Sequence, residues 1–296
     1  MQSTQFIFEA IGTRWIIDCH GIPQDRDQQE ISNAIKKRIA DFDQAYSRFR
    51  SDSLIYTMSE KQGRYTVPDD AESLLELYHH LYTITDGAFT PLIGKTLEEA
   101  GYDNTYSLKK RTLHRPPFWE EVINYTHPYV TIKKPALLDF GAAGKGHIVD
   151  IIGDLLTPKG IPSFCIDAGG DILYKNSQDI PLRVGLEHPE NPKQVIGIAT
   201  ITNQAICGSS GNRRQWGEFH HIIHPGSLSS PRHILATWVI ADTAIVADAL
   251  ATCLFFTDPI TLQKYYNFEY FLLLPDYSID QSFAFPAEVF YNENHI

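Results

Sequence analysis

Three absences narrow the class of protein to which this 296-residue sequence belongs. It lacks an apolar run long enough to span a bilayer, so no membrane insertion is expected. It lacks an excess of basic residues: 25 lysines and arginines face 36 aspartates and glutamates, and the net charge of −11 argues against a nucleic-acid partner. It also lacks internal repeats and low-complexity segments. An anionic ligand would therefore need local help from a cation or from backbone N–H groups.

Cysteine is also scarce, and its spacing excludes several kinds of site. Cys19, Cys165, Cys207 and Cys253 are widely separated, and no CxxC pair indicates zinc or redox chemistry. The first residues, MQSTQFIFEAIGTRW, carry no basic region, no long apolar run and no lipid-attachment cysteine. We therefore expect buried thiols rather than disulfides, no signal peptide and a cytoplasmic location.

The composition is that of a globular protein, with 43% hydrophobic and 21% charged residues. We expect one large domain over residues 1–296 with the α+β class: helices packed on a mixed, mainly antiparallel sheet. Hydrophobic periodicity predicts helices over 28–46, 70–83, 148–156 and 243–256. It predicts a strand or a hairpin over 6–19 and strands over 163–168, 172–174, 182–186, 195–202, 205–211, 219–223, 236–241, 270–274 and 289–291. Residues 103–135 are predicted to be irregular.

The stretch from 137 to 156 carries the most distinctive local pattern. Leu137 and Leu138 are predicted to end a buried strand, and Asp139 precedes a loop of small residues that leads into Lys145 and a helix. Such a turn admits a ligand close to the backbone, and a helix N-terminus attracts anions. The spacing fits neither a P-loop nor a GxGxxG fingerprint. A tight connection without any ligand is the alternative.

Two oxygen-bearing residues share a face of the last predicted helix. Asp248 and Thr252 are four residues apart in the segment ADALAT, which is otherwise apolar. A carboxylate in such surroundings needs a partner or a metal ion, and oxygen ligands suit Mg²⁺. The alternative is that Asp248 stabilises the helix dipole near its N-terminus.

Histidines and loop aromatics supply further candidates. His220, His221 and His224 cluster in FHHIIHPG, where one histidine acting as a base is favoured over joint metal ligation, because neighbouring strand positions face opposite sides. Phe49 in SRFRS and Phe89 in GAFTP lie in loops where a ring could stack on a planar ligand. For each ring, packing against the core is the alternative.

The order of these segments resembles the ApbE-type flavin transferases from Ile11 to Thr252. The matching segments are YSRFRSDS, TDGAFTP, LDFGAAGKGHIVD, DAGGD, SSGN, HHIIHP and VADALAT, in that order. The resemblance implies an ApbE-like, T-fold-related architecture. It also implies an Mg²⁺-dependent enzyme that transfers the FMN part of FAD to a threonine hydroxyl of a target flavoprotein and releases AMP.

The resemblance implies roles for individual positions of this sequence. Asp248 and Thr252, with a backbone oxygen of Ala142, would bind Mg²⁺, and His221 and Asp248 would be catalytic, His221 as the candidate base for the acceptor threonine. The positions implied to contact FAD are Ile11, Phe49, Ala88, Phe89, Thr90, Asp139, Lys145 and His221.

The sequence departs from the family pattern near the implied site. Thr90 stands where the pattern has aspartate, and His220 and His224 stand where it has serine and aspartate. Ile11 and Ser209 replace methionine and threonine. Three outcomes stay open: a transferase acting on a cytoplasmic flavoprotein such as a reductase, an FAD pyrophosphatase that releases FMN and AMP, and a flavin-binding protein without turnover.

Overall fold

The structure is a computed structural model that describes residues 3–22 and 27–290. Its strands, in chain order, are β1 (Ser3–Ala10), β2 (Thr13–His20), β3 (Gly63–Thr66), β4 (Ile123–Thr126), β5 (Tyr129–Ile132), β6 (Ser163–Ala168), β7 (Ile172–Lys175), β8 (Leu182–His188), β9 (Asn191–Ile201), β10 (Ala205–Ser210), β11 (Gln215–Trp216), β12 (Phe219–His220), β13 (Ala236–Ala241), β14 (Glu269–Leu273), β15 (Ile279–Gln281) and β16 (Ala287–Val289). Its α-helices are α1 (Gln28–Tyr46), α2 (Leu54–Glu60), α3 (Ala71–Ile84), α4 (Gly94–Ala100), α5 (Trp119–Val122), α6 (Gly144–Leu156), α7 (Ala244–Cys253) and α8 (Pro259–Gln263). None of the helices in these described ranges combines the length and apolarity needed to cross a bilayer.

An eight-stranded sheet organises the chain, in the order β1-β2-β6-β7-β10-β13-β14-β15. Each recorded pairing in this sheet is antiparallel. Two three-stranded sheets, β16-β9-β8 and β3-β5-β4, and the hairpin β11-β12 complete the strands. The predicted α+β class with a mainly antiparallel sheet is confirmed.

The two faces of the large sheet pack against different layers, because side chains alternate along a strand. In β10, Ala205 and Cys207 point into the core formed with the helices α6 and α7. Ile206, between them, packs on the opposite face with Leu186 of β8 and Phe285. The helices thus cover one face of the sheet and the sheet β16-β9-β8 covers part of the other.

Helices α6 and α7 lie in direct backbone contact, and this contact depends on Gly146. A Cβ atom built on Gly146 would lie 2.1 Å from the carbonyl oxygen of Ala244 and 2.8 Å from the Cβ of Asp248. No side chain fits in that space. The absence of one at position 146 therefore brings the first turn of α6 against α7.

Several sequence-based expectations need correction. Leu137 and Leu138 form no strand: they lie in a buried loop that is anchored where the amide of Asp139 donates to the carbonyl of Pro91 at 2.7 Å. The strand predicted over 219–223 ends at His220. β16 pairs with β9 and not with the large sheet, and residue 291 lies outside the described residues. The region 103–135, predicted to be irregular, contains α5, β4 and β5.

Candidate active site

The carboxylate of Asp248 lies at the contact between α6 and α7. The residue is 3% exposed, and its Oδ2 accepts a hydrogen bond of 2.9 Å from the amide of Gly146. The Nζ atom of Lys145 lies 3.7 Å from its Oδ1. Burial raises the pKa of Asp248, and the positive charge of Lys145 opposes that rise. The site therefore favours a positive charge beside this carboxylate.

The ammonium group of Lys145 lies beside two buried carboxylates. Its ammonium group also pairs with Asp171, which follows the Gly169-Gly170 turn and is 1% exposed. One lysine thus faces two carboxylates. One positive charge beside two carboxylates leaves one negative charge, for which a bound cation could compensate.

Thr252 lies one helical turn beyond Asp248, beside β10. Its hydroxyl is 3.3 Å from the hydroxyl of Ser209. The carboxylate and the hydroxyl line the same cavity as Ala142. The described residues contain no group of three or more histidine, cysteine, aspartate or glutamate side chains placed to hold a metal ion. A cation here would need hydroxyl, backbone or substrate oxygens in addition to Asp248.

Asp139 is fixed at the start of the small-residue loop by two donors. The Nε of Arg48 donates to one carboxylate oxygen, and the amide of Gly141 donates to the other at 2.7 Å. The guanidinium carbon of Arg48 lies 4.1 Å from the ring centre of Phe49 and 4.9 Å from that of Tyr102. The two Nη atoms of Arg48 are buried without a hydrogen-bond partner in the described part of the chain.

These groups surround one cavity. Its walls include ten of the eleven positions implied by the sequence: Phe49, Ala88, Phe89, Thr90, Asp139, Ala142, Lys145, His221, Asp248 and Thr252. The eleventh, Ile11, lines a smaller neighbouring cavity together with Phe49, Asp139 and Lys145. The structure therefore brings the candidate residues together from segments that are far apart in the sequence, with Ile11 one cavity away.

The three clustered histidines have different surroundings in the structure. His221 lines the cavity, and its Nδ1 is buried without a hydrogen-bond partner among residues 3–22 and 27–290. Burial, with the charge of Arg214 next, lowers the pKa of His221 to about 3. His220 Nε2 lies 2.8 Å from the carbonyl of Pro231, and His224 Nδ1 accepts from the amide of Gly226 at 3.0 Å. Of the three, His221 is the one that lines the cavity.

The loop aromatics have packing partners of their own. Phe89 is 2% exposed and stacks on Tyr78 with 4.8 Å between ring centres, so the core-packing alternative describes most of its surface. Phe49 stacks on Tyr106 at 5.7 Å. Thr90 uses its hydroxyl locally, where it accepts from the amide of Leu92 at 3.2 Å and caps a short 3₁₀ turn.

Four polar residues of this site were not identified from the sequence. Arg48 and Asp171 lie inside the segments SRFRS and DAGGD, so those segments held the signal, although nothing local distinguishes them from surface charges. Tyr78 has a buried hydroxyl without a hydrogen-bond partner in the described ranges, yet its sequence pattern is that of an apolar helix position. Arg214 donates to the hydroxyl of Tyr102 from a region without a recognisable pattern.

Asp150 connects the two helices that carry the site. It projects from α6, and its two carboxylate oxygens accept from the amides of Ala244 and Ile245, both at 2.8 Å, at the N-terminus of α7. Such a contact satisfies amides that have no partner within their own helix. Burial raises the pKa of Asp150 to about 6.

The raised pKa of Asp150 predicts a pH dependence of stability. The folded protein keeps the proton of Asp150 up to about pH 6, whereas the unfolded chain loses it near the ordinary aspartate pKa of 3.8. The free energy of unfolding should therefore fall as the pH rises from 4 to about 6.5, by up to about 3 kcal/mol from this group. Urea unfolding across that range should show a smaller fall for Asp150→Asn than for the parent. Parallel curves for the two proteins would contradict this assignment.

Comparison with known proteins identifies the family. The profile of the ApbE family matches residues 11–270, which is most of the chain. The chain belongs to the ApbE family. The solved structures agree in fold: the ApbE protein of Thermotoga maritima superposes with a TM-score of 0.84 at 21% identity, covering 97% of this chain and 100% of that one. The flavin transferase ApbE of Vibrio cholerae gives a TM-score of 0.76 at 18% identity, with 95% and 96% covered.

Curated ApbE relatives carry a common name. A protein of Rhodobacter capsulatus named FAD:protein FMN transferase is 25% identical over 83% of this chain and 50% of its own length. One of Vibrio cholerae with the same name is 23% identical over 82% of this chain and 78% of its own length. The chain thus spans half the length of the Rhodobacter relative.

Proposed function

We propose that this ApbE-family chain is an Mg²⁺-dependent FAD:protein FMN transferase, built as one domain, that attaches FMN to a threonine of an acceptor flavoprotein. The observation that carries the proposal is the single cavity around Asp248, Thr252, Lys145 and His221. Its walls combine aromatic side chains with a few charged and hydroxyl groups, as ligand sites commonly do. The name shared by the curated relatives supports FAD as the substrate.

The donor set beside α7 fits Mg²⁺. Asp248 offers a buried carboxylate, Thr252 a hydroxyl and Ala142 a backbone carbonyl, all on the wall of one cavity. These are the hard oxygen ligands that Mg²⁺ prefers, and Mg²⁺ commonly completes its shell with waters and substrate phosphates. When bound there, the ion would neutralise pyrophosphate charge and stabilise the charge that develops on the departing phosphate.

The protein's own groups would then position the substrate and accept a proton. The acceptor threonine Oγ forms a bond to the phosphorus of the FMN half. The bond from that phosphorus to the bridging oxygen breaks, and AMP leaves with its electron pair. The hydroxyl proton passes to a base, for which His221 on the cavity wall is the candidate. Its lowered pKa keeps the imidazole neutral at pH 7 and also makes it a weak base.

Incubation with FAD and a peptide library tests the proposal. The library is a pool of nonapeptides, each with one central threonine, supplied with MgCl₂, and the matched control pool carries valine at that position. We expect FMN adducts in the threonine pool by mass spectrometry, AMP release by chromatography, and neither reaction in EDTA. Release of FMN and AMP without adducts would indicate a pyrophosphatase instead. Binding of FAD with no AMP release would indicate a flavin-binding protein without turnover.

A further inference from the structure

A second groove lies between the large sheet and β8, and we call it the inter-sheet groove. One wall comes from the β1–β2 hairpin and includes Gln5 and Arg14, and the opposite wall comes from β8 and includes Gly185. Its floor includes Ile172 and Trp238. The groove is open to solvent along one side. It lies on the opposite side of the sheet from α6 and α7.

The inter-sheet groove and the active-site cavity lie on opposite faces of the large sheet and border the same part of it. Both are lined by the same five residues: Thr13, Gly169, Gly208, Ser209 and Ser210. Ser209 is the residue whose hydroxyl lies 3.3 Å from that of Thr252, beside the proposed cation site. A group in the groove therefore comes closest to the proposed cation site at these residues.

The two spaces border the same residues because β10 extends beyond its neighbour β7. Their pairing ends where Ile206 meets Ile172, after which the chain of β7 turns away through Gly169-Gly170. Along an antiparallel strand, the backbone N–H and C=O groups of successive residues point alternately to the two neighbouring strands. The amide of Gly211 donates to the carbonyl of Leu235, on the side of β13. The backbone groups of Gly208 and Ser210 therefore face the other edge, where no described strand pairs with them.

The charges of the groove favour a polypeptide over a nucleotide. Its lining includes the carboxylates Asp18 and Asp167 and two arginines, Arg14 and Arg183. Arg183 is already paired with Glu288 at 3.2 Å. A pyrophosphate would be repelled by this excess of carboxylates, whereas an extended peptide would find polar walls, an apolar floor and a free strand edge.

We propose that the inter-sheet groove binds the acceptor polypeptide as an extended segment along the free edge of β10. The threonine of that segment reaches the active-site cavity between Thr13 and Ser209. This proposal rests on the transferase function proposed above. It assigns FAD and acceptor to opposite sides of the sheet, so the two substrates can bind without competing.

Filling the groove should separate transfer from FAD cleavage. Val184 on the β8 wall packs towards the large sheet, and in Val184→Trp the indole would occupy the groove. Gln5→Trp obstructs it from the opposite wall. We expect both variants to label the threonine peptide pool at least tenfold more slowly than the parent. Their Kd for FAD and their rate of AMP release without peptide should remain within twofold of the parent. Lys193→Trp, an exposed β9 position that does not line the groove, should behave like the parent.

The outcomes distinguish failure of this proposal from failure of the function. Peptide labelling at the parental rate in a folded Val184→Trp or Gln5→Trp protein, verified by its melting temperature, would overturn the groove assignment. A loss of FAD affinity that accounts for the loss of labelling would assign the groove to the nucleotide and also overturn it. If the parent splits FAD but labels no threonine peptide, the transferase function fails, and the acceptor groove fails with it.

Discussion

Asp248→Asn should cleave FAD about 10³-fold more slowly than the parent at saturating FAD and MgCl₂. The asparagine oxygen can still accept the hydrogen bond from Gly146, but it removes the charged ligand proposed for Mg²⁺. Lys145 keeps its pairing with Asp171, so the fold should persist. The melting temperature without metal should be unchanged or higher, because a buried carboxylate is lost. Calorimetric titration with MgCl₂ in the presence of FAD should show no saturable binding.

Asp242→Asn is the matched control for that experiment. It removes the same charge from an exposed position two residues before α7 begins. We expect its rate and its Mg²⁺ affinity to equal those of the parent. If Asp248→Asn retains Mg²⁺-dependent cleavage within tenfold of the parent, the cation site beside α7 is wrongly assigned.

Arg48→Met should lower the free energy of unfolding by about 3 to 5 kcal/mol, a large fraction of the stability of an ordinary domain. The Arg48 and Asp139 side chains are 2% and 12% exposed. Removal of the guanidinium leaves the Asp139 carboxylate buried without its charged partner. It also removes the cation that packs on the rings of Phe49 and Tyr102. Chemical denaturation of the apoprotein at pH 7 measures the change.

A double variant and a neighbouring arginine test the cause of that loss. Adding Asp139→Asn to Arg48→Met should recover part of the stability, because the unpaired charge is gone. Arg50→Met removes an arginine that is 40% exposed and pairs with Asp43 and Asp52 at the surface, and it should change stability little. Equal losses at positions 48 and 50, or no recovery in the double variant, would contradict a buried-pair explanation.

The sequence predicts the elements whose patterns are long and regular. The predicted helix 28–46 coincides with α1, because its apolar residues recur with helical spacing over five turns. The strands β3, β4 and β5 are four residues long, and so short a pattern carries too little periodicity to be recognised. Leu137 and Leu138 were wrongly predicted as a strand because an apolar run indicates burial and does not determine backbone pairing.

Some contacts of the candidate site could likewise be predicted from the sequence, and others could not. The proximity of Asp248 and Thr252 follows from their spacing on one helix, and the order of the family segments gathers the other positions. The pairs Lys145–Asp171 and Arg48–Asp139 join residues 26 and 91 positions apart. No local pattern encodes such distances. The different surroundings of His221, His220 and His224 also depend on where β12 ends. It ends at His220, whereas the predicted strand continued to residue 223.

The close approach at Gly146 also bears on how this site can be altered by recombination. Without a side chain at position 146, α6 lies against the carbonyl of Ala244, and Asp150 holds the first amides of α7. A donor helix grafted alone in place of α7 would have to reproduce both contacts to keep its carboxylate beside Lys145. The segments 144–156 and 244–253 therefore form one exchangeable module, and chimaeras should be designed to inherit them together.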